Sequence, residues 1–179
     1  MAGLKSISTP TETNLLIAFS DLTLFAKFAR GESDRRMFDV MSDYAEYVGG
    51  VIESVGGTVV KFIGDAVLLV FPEDSVDAGV LALKKLKDEG DAWMASRGIP
   101  CRHRIKAHFG AAVCGPIGTK TEKRFDLYGQ SVNTAATLKS SGMAISPQVF
   151  RKLEPETRKL FKKHTPPVTY IPVEESHKE

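Results

Sequence analysis

The chain has 179 residues, of which 42% are hydrophobic and 26% are charged. This length and composition suit one globular domain with a buried core, and we expect no second domain. The 24 basic and 22 acidic residues are interspersed and give a formal net charge of +2. Because a polyanion is bound through a basic face with many phosphate contacts, this balance argues against nucleic acid as a partner.

The beginning and the end of the sequence are polar. The opening MAGLKSISTPTETN lacks the continuous apolar region of a secretory signal, and no later apolar run approaches the ~20 residues that a membrane span needs. We therefore expect a soluble, cytoplasmic protein without a membrane partner. We also expect flexible tails at residues 1–13 and 174–179, around a folded domain at residues 14–173. Cys101 and Cys114 lack metal-ligand spacing, which predicts reduced structural thiols.

The first two predicted elements are a buried strand and a long helix. The strand covers the apolar run LLIAF (15–19) and ends near Asp21, which places this acid at an edge of the core. The helix is capped by Ser33 and ends before the glycine pair at residues 56–57. Its apolar residues recur at helical spacing: Met37, Val40, Met41, Tyr44, Val48, Val51, Ile52 and Val55.

A hairpin and a second long helix come next. Two β-rich runs, TVVKF (58–62) and AVLLVF (66–71), are separated by a short segment in which Gly64 eases a tight turn and Asp65 lies at the tip. The helix begins near Ser75 and ends near Gly98. The apolar positions that predict it are Val76, Val80, Leu83, Leu86 and Trp93.

The second half of the sequence predicts shorter elements. RIKAHFG (104–110) and AAVCG (111–115) are expected to be strands on either side of a small bend. FDLYG (125–129) is extended, residues 131–138 form a short helix, and prolines limit VTYIP (168–172) to an edge strand. Helices that alternate with hairpin-like strand pairs predict an α+β fold. We expect a ferredoxin-like sandwich, a mostly antiparallel sheet with helices packed on one face.

Two aspartates lie at points that such a sheet can bring together. Asp21 ends the first strand and Asp65 lies at the tip of the hairpin. Two carboxylates at one edge supply the oxygen ligands that Mg²⁺ or Mn²⁺ prefers, and a metal pair held there can bridge triphosphate oxygens. Taken alone, however, an aspartate in a Gly-Asp turn is more often a turn residue than a metal ligand.

Four segments carry a recognisable pattern: FSDLTLF (19–25), GGTVVKFIGDAVLLVF (56–71), HFGAAVCGPIG (108–118) and FDLYGQSVNTAATL (125–138). In order and approximate spacing they resemble the signature segments of class III adenylyl and guanylyl cyclases. The resemblance extends over about residues 15–170. Its most specific pieces are Lys-x-x-Gly-Asp and Asp-x-x-Gly-x-x-Val-Asn. The resemblance implies the fold of a nucleotidyl cyclase catalytic domain.

The resemblance also implies a metal site and a triphosphate site. Asp21 and Asp65 match the family's metal-binding aspartates, and the backbone carbonyl of Leu22 matches a further ligand of the two Mg²⁺ or Mn²⁺ ions. Phe25 falls at a substrate-binding position. Lys162, or its neighbour in sequence, loosely matches the lysine that binds the triphosphate shortly before the last strand.

Three further residues match the positions that bind the nucleoside. Lys61 and Asp126 fall where adenylyl cyclases place the pair that reads adenine, and Asn133 falls where an asparagine orients the ribose. A donor together with an acceptor for the amino group suits adenine, whereas the guanine O6 would face a carboxylate unfavourably. ATP is therefore the expected substrate. Without the resemblance, Lys61 would be interpreted as an outward-facing strand lysine and Asp126 as a loop acid.

The sequence departs from the family pattern at two positions. Thr137 occupies the place, four residues after Asn133, where active members carry an arginine that stabilises the charged phosphates. Loss of one such donor costs on the order of 10²–10³ in rate. Leu24 replaces a glycine, and we expect the tight backbone at this point to be altered. The cations considered as substitutes for the arginine are Arg124, Lys139, Lys162 and Lys163.

The family pattern also bears on assembly, because its active site lies between two subunits. One subunit gives the metal aspartates and the other the base, ribose and transition-state residues, and this chain carries both sets. A homodimer with two equivalent sites is therefore implied. The main hypothesis is a cyclase that converts ATP into cyclic AMP and pyrophosphate at two metal ions. The alternatives are a catalytically degenerate nucleotide-binding domain and a cyclase of another nucleotide, including GTP.

Overall fold

The computed structural model describes residues 4–176. The predicted tails therefore lie partly outside the described residues, at positions 1–3 and 177–179. The strands are β1 (Thr11–Leu22), β2 (Thr58–Ile63), β3 (Ala66–Pro72), β4 (His103–Gly118), β5 (Lys123–Tyr128), β6 (Met143–Ile145), β7 (Phe161–His164) and β8 (Thr169–Pro172). The helices are α1 (Phe25–Ala29), α2 (Asp34–Glu53), α3 (Val76–Ser96), α4 (Gln130–Thr137), α5 (Pro147–Lys152) and α6 (Pro155–Arg158).

All eight strands belong to one sheet. Their order is β2-β3-β1-β4-β6-β8-β7, and β5 pairs with the outer end of β4. Every pairing is antiparallel except that of β4 with β6, which is parallel. The central pair runs without a register shift from Thr11 opposite Cys114 to Leu22 opposite His103. This arrangement confirms the predicted α+β fold with a mostly antiparallel sheet.

Helices cover both faces of the sheet. Alternate residues of a strand point to opposite faces, so the wholly apolar run at residues 15–18 is buried on both sides. Leu16 packs in the cluster formed with α2 and α3, whereas Leu15 packs in a second cluster that contains Ala135 of α4. The expectation that all helices lie on one face is therefore wrong for α4, which is the element that carries the predicted ribose residue.

Local sequence signals place α2 and the hairpin as predicted. The hydroxyl oxygen of Ser33 accepts a hydrogen bond from the backbone N–H of Arg36 at 3.2 Å, which caps α2. Gly56 has a φ of 79°, and the N–H of Gly57 donates to the carbonyl of Ile52, which ends the helix region. Gly64 has a φ of 63° in the tight turn between β2 and β3. The turn fixes where Asp65 lies.

Two strand predictions need correction. Residues 104–115, predicted as two strands around a bend, belong to the single strand β4, because continuous pairing with β1 holds the backbone extended through Gly110. The run at residues 168–172 was predicted to be an edge strand. It forms β8, which lies between β6 and β7. The short polar sequence FKKH of β7 gives no periodic signal, yet it pairs along the outer side of β8.

The two cysteines agree with the prediction of reduced structural thiols. Cys101 and Cys114 are both free and buried, and burial raises the pKa of each thiol. None of the helices within residues 4–176 has both the length and the apolar character needed to cross a lipid bilayer.

Candidate active site

Asp21 and Asp65 meet at the end of β1. Pairing of Ser20 with Val67 puts the turn between β2 and β3 beside the last residues of β1. The backbone N–H of Leu22 donates a hydrogen bond to Oδ2 of Asp65 at 3.1 Å. The Asp65 carboxylate therefore lies against the peptide that directly follows Asp21. The structure brings together the two acids that the sequence singled out, although they are 44 positions apart.

Two cations on β4 accompany Asp21. Nε of Arg104 donates to Oδ1 of Asp21 at 2.7 Å, and Nζ of Lys106 lies 4.0 Å from Oδ2 of the same carboxylate. In the register of β1 and β4, Asp21 is opposite Arg104 and Phe19 is opposite Lys106. Residues directly opposite in an antiparallel pair share a face of the sheet. Both basic side chains therefore point to the face on which α4 packs.

The buried ring of Tyr44 lies close enough to these acids to respond to their charge. Desolvation raises the pKa of the Tyr44 hydroxyl far above its usual value, and the charges of Asp65 and Asp21 raise it further. Tyr44 thus remains a neutral phenol beneath the two carboxylates.

The oxygen atoms at this corner fit a hard divalent cation. The candidate ligands are the carboxylates of Asp21 and Asp65 and the carbonyl of Leu22, and Mg²⁺ commonly takes one or two protein carboxylates and completes its shell with water and substrate phosphates. Across residues 4–176, no group of three or more His, Cys, Asp or Glu side chains is arranged to hold a metal. A metal here would take the rest of its coordination from water or from a bound ligand.

Lys61 and Asp126 form the second candidate group. Nζ of Lys61 lies 2.5 Å from Oδ2 of Asp126, although β2 and β5 are not neighbours in the sheet. The Asp126 side chain is only 13% exposed, against 40% for Lys61, and its Oδ1 accepts from the N–H of Leu127. The pair lines an open cavity of about 750 Å³, together with Phe62, Ile117, Arg124 and Tyr128. The structure thus joins the two residues predicted to read the base.

Asn133 and Thr137 lie one turn apart on the exposed side of α4. Oγ1 of Thr137 donates to the backbone carbonyl of Asn133 at 2.8 Å. This hydroxyl is therefore engaged within the helix and brings no charge to the position. Both side chains face solvent within the single chain. They are available to a molecule that approaches α4 from outside.

Lys162 lies apart from both groups, whereas Phe25 lines a cavity with Phe62 and Gly64, which are adjacent in sequence to Lys61 and Asp65. Phe25 begins α1 and packs, partly buried, against the core cluster of α2 and α3. Nζ of Lys162 donates to the backbone carbonyl of Val173 at 2.8 Å. Because β7 is the fourth strand beyond β1, its backbone is roughly 19 Å from β1 at the usual strand spacing. Lys162 does not meet the aspartates of its own chain.

The other cations considered for the position of Thr137 also lie elsewhere. Arg124 forms an ion pair with Glu122 at 2.6 Å on an exposed part of β5. Lys139 and Lys163 are exposed, and Lys163 belongs to β7. The cations that contact the Asp21 carboxylate are Arg104 and Lys106, which the sequence analysis did not select. Their alternation in the run RIKAH indicates a strand face, but only the register shows that this face contains Asp21.

Leu24, at the position where the family pattern has glycine, adopts a backbone conformation that favours glycine. Its φ and ψ are 61° and 6°, in the left-handed region, and its carbonyl accepts hydrogen bonds from the N–H groups of Lys27 and Phe28. The conformation costs a residue with a Cβ about 1–2 kcal/mol, and the side chain recovers little because it is 59% exposed.

We expect Leu24→Gly to stabilise the protein by about 1 kcal/mol, because glycine adopts this conformation without a steric penalty. For a domain of this size the melting temperature should rise by roughly 2–4 °C. Leu24→Ala is the matched control, since it removes most of the side chain but keeps Cβ. Equal melting temperatures for Leu24→Gly and Leu24→Ala would show that the backbone at Leu24 is not strained.

Comparison with known sequences gives one family. The family model described as "Adenylate and Guanylate cyclase catalytic domain" matches residues 7–166. An adenylate cyclase of Anabaena cylindrica is 26% identical over 140 residues, which is 74% of this chain and 28% of that protein. Adenylate cyclase 2 of Rhizobium meliloti (strain 1021) is 26% identical over 82% of this chain and 44% of its own length. Human guanylyl cyclase C is 26% identical over 72% of this chain and 13% of its own length.

The chain therefore spans less than half of the length of these relatives. Solved structures share its fold over nearly their whole length. The adenylyl cyclase CyaB from P. aeruginosa superimposes with a TM-score of 0.80 at 18% identity, over 94% of this chain and 97% of that one. The guanylate cyclase domain of RhGC from Catenaria anguillulae, in complex with GTP, has a TM-score of 0.76 at 22% identity, over 89% and 96%. Both kinds of cyclase thus share this architecture.

Proposed function

Because the chain belongs to the adenylate and guanylate cyclase catalytic domain family, we propose that this nucleotidyl cyclase is an adenylate cyclase. In the proposed reaction the ribose 3′ oxygen of ATP attacks the α-phosphorus. The bond from the α-phosphorus to the bridging oxygen breaks, pyrophosphate leaves, and the hydroxyl proton is released. The products are cyclic AMP and pyrophosphate.

The observation that carries the choice of ATP is the contact between Lys61 and Asp126. Their 2.5 Å ion pair puts one donor and one acceptor side by side on the wall of a cavity. Adenine offers a ring nitrogen that accepts from an ammonium and an amino group that donates to a carboxylate. Guanine in the same orientation is disfavoured, because its O6 acceptor would face the Asp126 carboxylate and its N1–H donor would face the Lys61 ammonium.

In this proposal each chain supplies two halves of a site. Asp21, Asp65 and the carbonyl of Leu22 hold two Mg²⁺ or Mn²⁺ ions. When bound, the ions would polarise the phosphate oxygens and make the attacking hydroxyl more acidic. Phe25 would contact the substrate near the metal-binding residues, and Lys162 of the second copy would contact the triphosphate.

The other half comes from a second copy of the chain. Asn133 of that copy orients the ribose, and its Lys61 and Asp126 orient the base. A twofold dimer generates two such sites, because each subunit supplies both sets. The exposure of Asn133 and Thr137 on α4 supports a partner at this face. A guanylyl cyclase domain from Blastocladiella emersonii with the same fold, at 20% identity, has been solved both as a non-canonical dimer and as a monomer.

A second candidate function is a degenerate cyclase domain that binds nucleotide without turnover. Two observations favour it. Thr137 brings no charge and donates its hydroxyl proton to a helix carbonyl, and Arg104 already occupies one oxygen of Asp21. An arginine at the position of Thr137 would then raise activity from background.

Product formation separates the candidates. The purified chain is incubated with ATP or GTP and Mn²⁺, and the nucleotides are separated by chromatography. Cyclic AMP from ATP supports the adenylate cyclase, and cyclic GMP formed from GTP alone would overturn the choice of substrate. Bound nucleotide without a cyclic product supports the degenerate domain.

The double substitution Lys61→Glu with Asp126→Ser tests the base-reading pair directly. A glutamate accepts from N1–H and the amino group of guanine, and a serine hydroxyl donates to O6. We expect the ratio of kcat/KM for ATP to that for GTP to fall by roughly 10²-fold or more.

Glu122→Ser is the control for this experiment, because Glu122 lines the same cavity beside the pair. This control should leave the nucleotide preference unchanged. An unaltered preference in the double variant would mean that Lys61 and Asp126 do not read the base.

A further inference from the structure

Lys106 lies between α4 and the aspartate corner, the site formed by Asp21 and Asp65. Its Nζ donates a hydrogen bond to the backbone carbonyl of Ala136 at 3.1 Å and lies 4.0 Å from Oδ2 of Asp21. The side chain is only 19% exposed. The ammonium group therefore lies between a carboxylate proposed to bind metal and the last turn of α4, one residue before Thr137.

A lysine in this place needs an explanation, because lysine side chains are rarely so little exposed. The register of β1 and β4 puts Lys106 opposite Phe19, on the same face of β4 as Arg104 and two residues after it. Arg104 already forms the direct ion pair with Asp21 at 2.7 Å, so the carboxylate has a close counter-ion without Lys106. The hydrogen bond to one helix carbonyl does not require a full positive charge. Neutralising the charge of Asp21 therefore does not require Lys106.

We propose that Lys106 supplies the triphosphate with the positive charge that is absent at Thr137, an inference that rests on the proposed function. Phosphates that share a divalent cation with Asp21 lie within a few ångströms of that carboxylate, which Nζ of Lys106 already approaches to 4.0 Å. With Asp21 committed to the cation, the triphosphate is the anion nearest to the ammonium. In the proposed dimer Lys106 reaches the phosphates from the subunit that provides Asp21, whereas position 137 approaches from the other subunit.

Among the other cations, Arg104 is held in the direct ion pair with Asp21, and two of those considered for the position of Thr137 have partners elsewhere. Arg124 is paired with Glu122, and Lys162 is bonded to the carbonyl of Val173. Lysine suits the role because its four-carbon stem lets the ammonium move by several ångströms while the strand stays fixed. Lys106 is therefore a residue that positions and stabilises phosphate charge.

The test is Lys106→Gln, in which the amide still donates to the Ala136 carbonyl but carries no charge. We expect kcat with ATP and Mn²⁺ to fall by about 10²–10³-fold, the effect of removing one preorganised electrostatic group. Lys106→Arg keeps the charge and should retain most of the activity. Lys85→Gln, on an exposed part of α3, is the matched control and should behave as the wild type.

Binding separates a phosphate contact from a purely structural role. The probes are 3′-deoxy-ATP, which lacks the attacking hydroxyl, and adenosine, each titrated calorimetrically with Mn²⁺ present. We expect Lys106→Gln to weaken 3′-deoxy-ATP binding about tenfold and to leave the adenosine affinity unchanged. Equal losses for both probes would overturn the proposal, as would wild-type kcat and wild-type triphosphate affinity.

A second substitution provides a rescue. Thr137→Arg should restore turnover in the Lys106→Gln chain by about 10-fold or more, and should change the wild type little, because the charge is then supplied from the other side. Lack of rescue combined with wild-type triphosphate binding in Lys106→Gln would contradict the inference. If the wild type forms no cyclic product but binds 3′-deoxy-ATP, the adenylate cyclase proposal fails and the binding arm still decides the role of Lys106.

Discussion

Asp65→Ala is expected to lower the rate of cyclic AMP formation by at least about 10²–10³-fold while the chain remains folded. The substitution removes one of the two carboxylates proposed to hold the divalent cations. It also removes the acceptor of the hydrogen bond from the N–H of Leu22, which lies 3.1 Å from Oδ2 of Asp65. The rate is measured with ATP and Mn²⁺ by chromatography, and folding is followed by thermal melting.

Asp65→Asn separates charge from hydrogen bonding. Its amide oxygen can still accept from Leu22, so we expect a melting temperature close to that of the wild type and turnover as low as in Asp65→Ala. Asp74→Ala removes an exposed acid shortly after β3 and serves as the control with full activity. Full turnover in Asp65→Ala would remove Asp65 from the proposed metal site.

Mixing two inactive variants should restore activity if the site is shared between subunits. Asp65→Ala lacks the metal half of the site, and Asn133→Ala lacks the ribose half. In a mixed dimer, one site has lost both residues, but the other combines Asp65 of one chain with Asn133 of the other and is intact. Random pairing makes half of the dimers mixed, each with one intact site of two. We therefore expect about a quarter of the wild-type rate.

The mixture needs the subunits to exchange, so the two variants are unfolded and refolded together or co-expressed with different tags. A control mixture of Asp65→Ala with Asp65→Asn has no intact site in any pairing and should stay inactive. If the mixture of Asp65→Ala and Asn133→Ala is as inactive as its components although mixed dimers form, the shared site is wrong. A strictly monomeric wild type that turns over ATP would lead to the same conclusion.

The aspartate corner was predictable because the signals for it are local. A buried apolar run that ends at Asp21 and a Gly-Asp turn that holds Asp65 each determine their own geometry, and an antiparallel fold brings such ends together. The capping hydroxyl of Ser33 was equally clear for the same reason. The metals, the dimer and the roles of individual residues come from the family resemblance and stay predictions.

Features that depend on pairing between distant segments were not predictable. Arg104 and Lys106 lie 83 or more positions beyond Asp21 and meet it only because β1 and β4 pair in one register. A shift by one residue would turn both cations to the opposite face of the sheet. The continuity of β4 and the interior place of β8 likewise depend on which neighbour each strand finds, and the sequence periodicity of one strand does not report its neighbour.

The contact between Lys61 and Asp126 also bears on how this pocket would select between bases. The two charges pair with each other, so a base read by this pair would have to replace an existing bond of 2.5 Å. A base that satisfies one partner leaves the other unpaired, at a cost of about 1–3 kcal/mol, or more for a charged group. Selection in this pocket would then come mainly from rejection. A wrong base would be rejected because it breaks the ion pair between Lys61 and Asp126 without satisfying both residues.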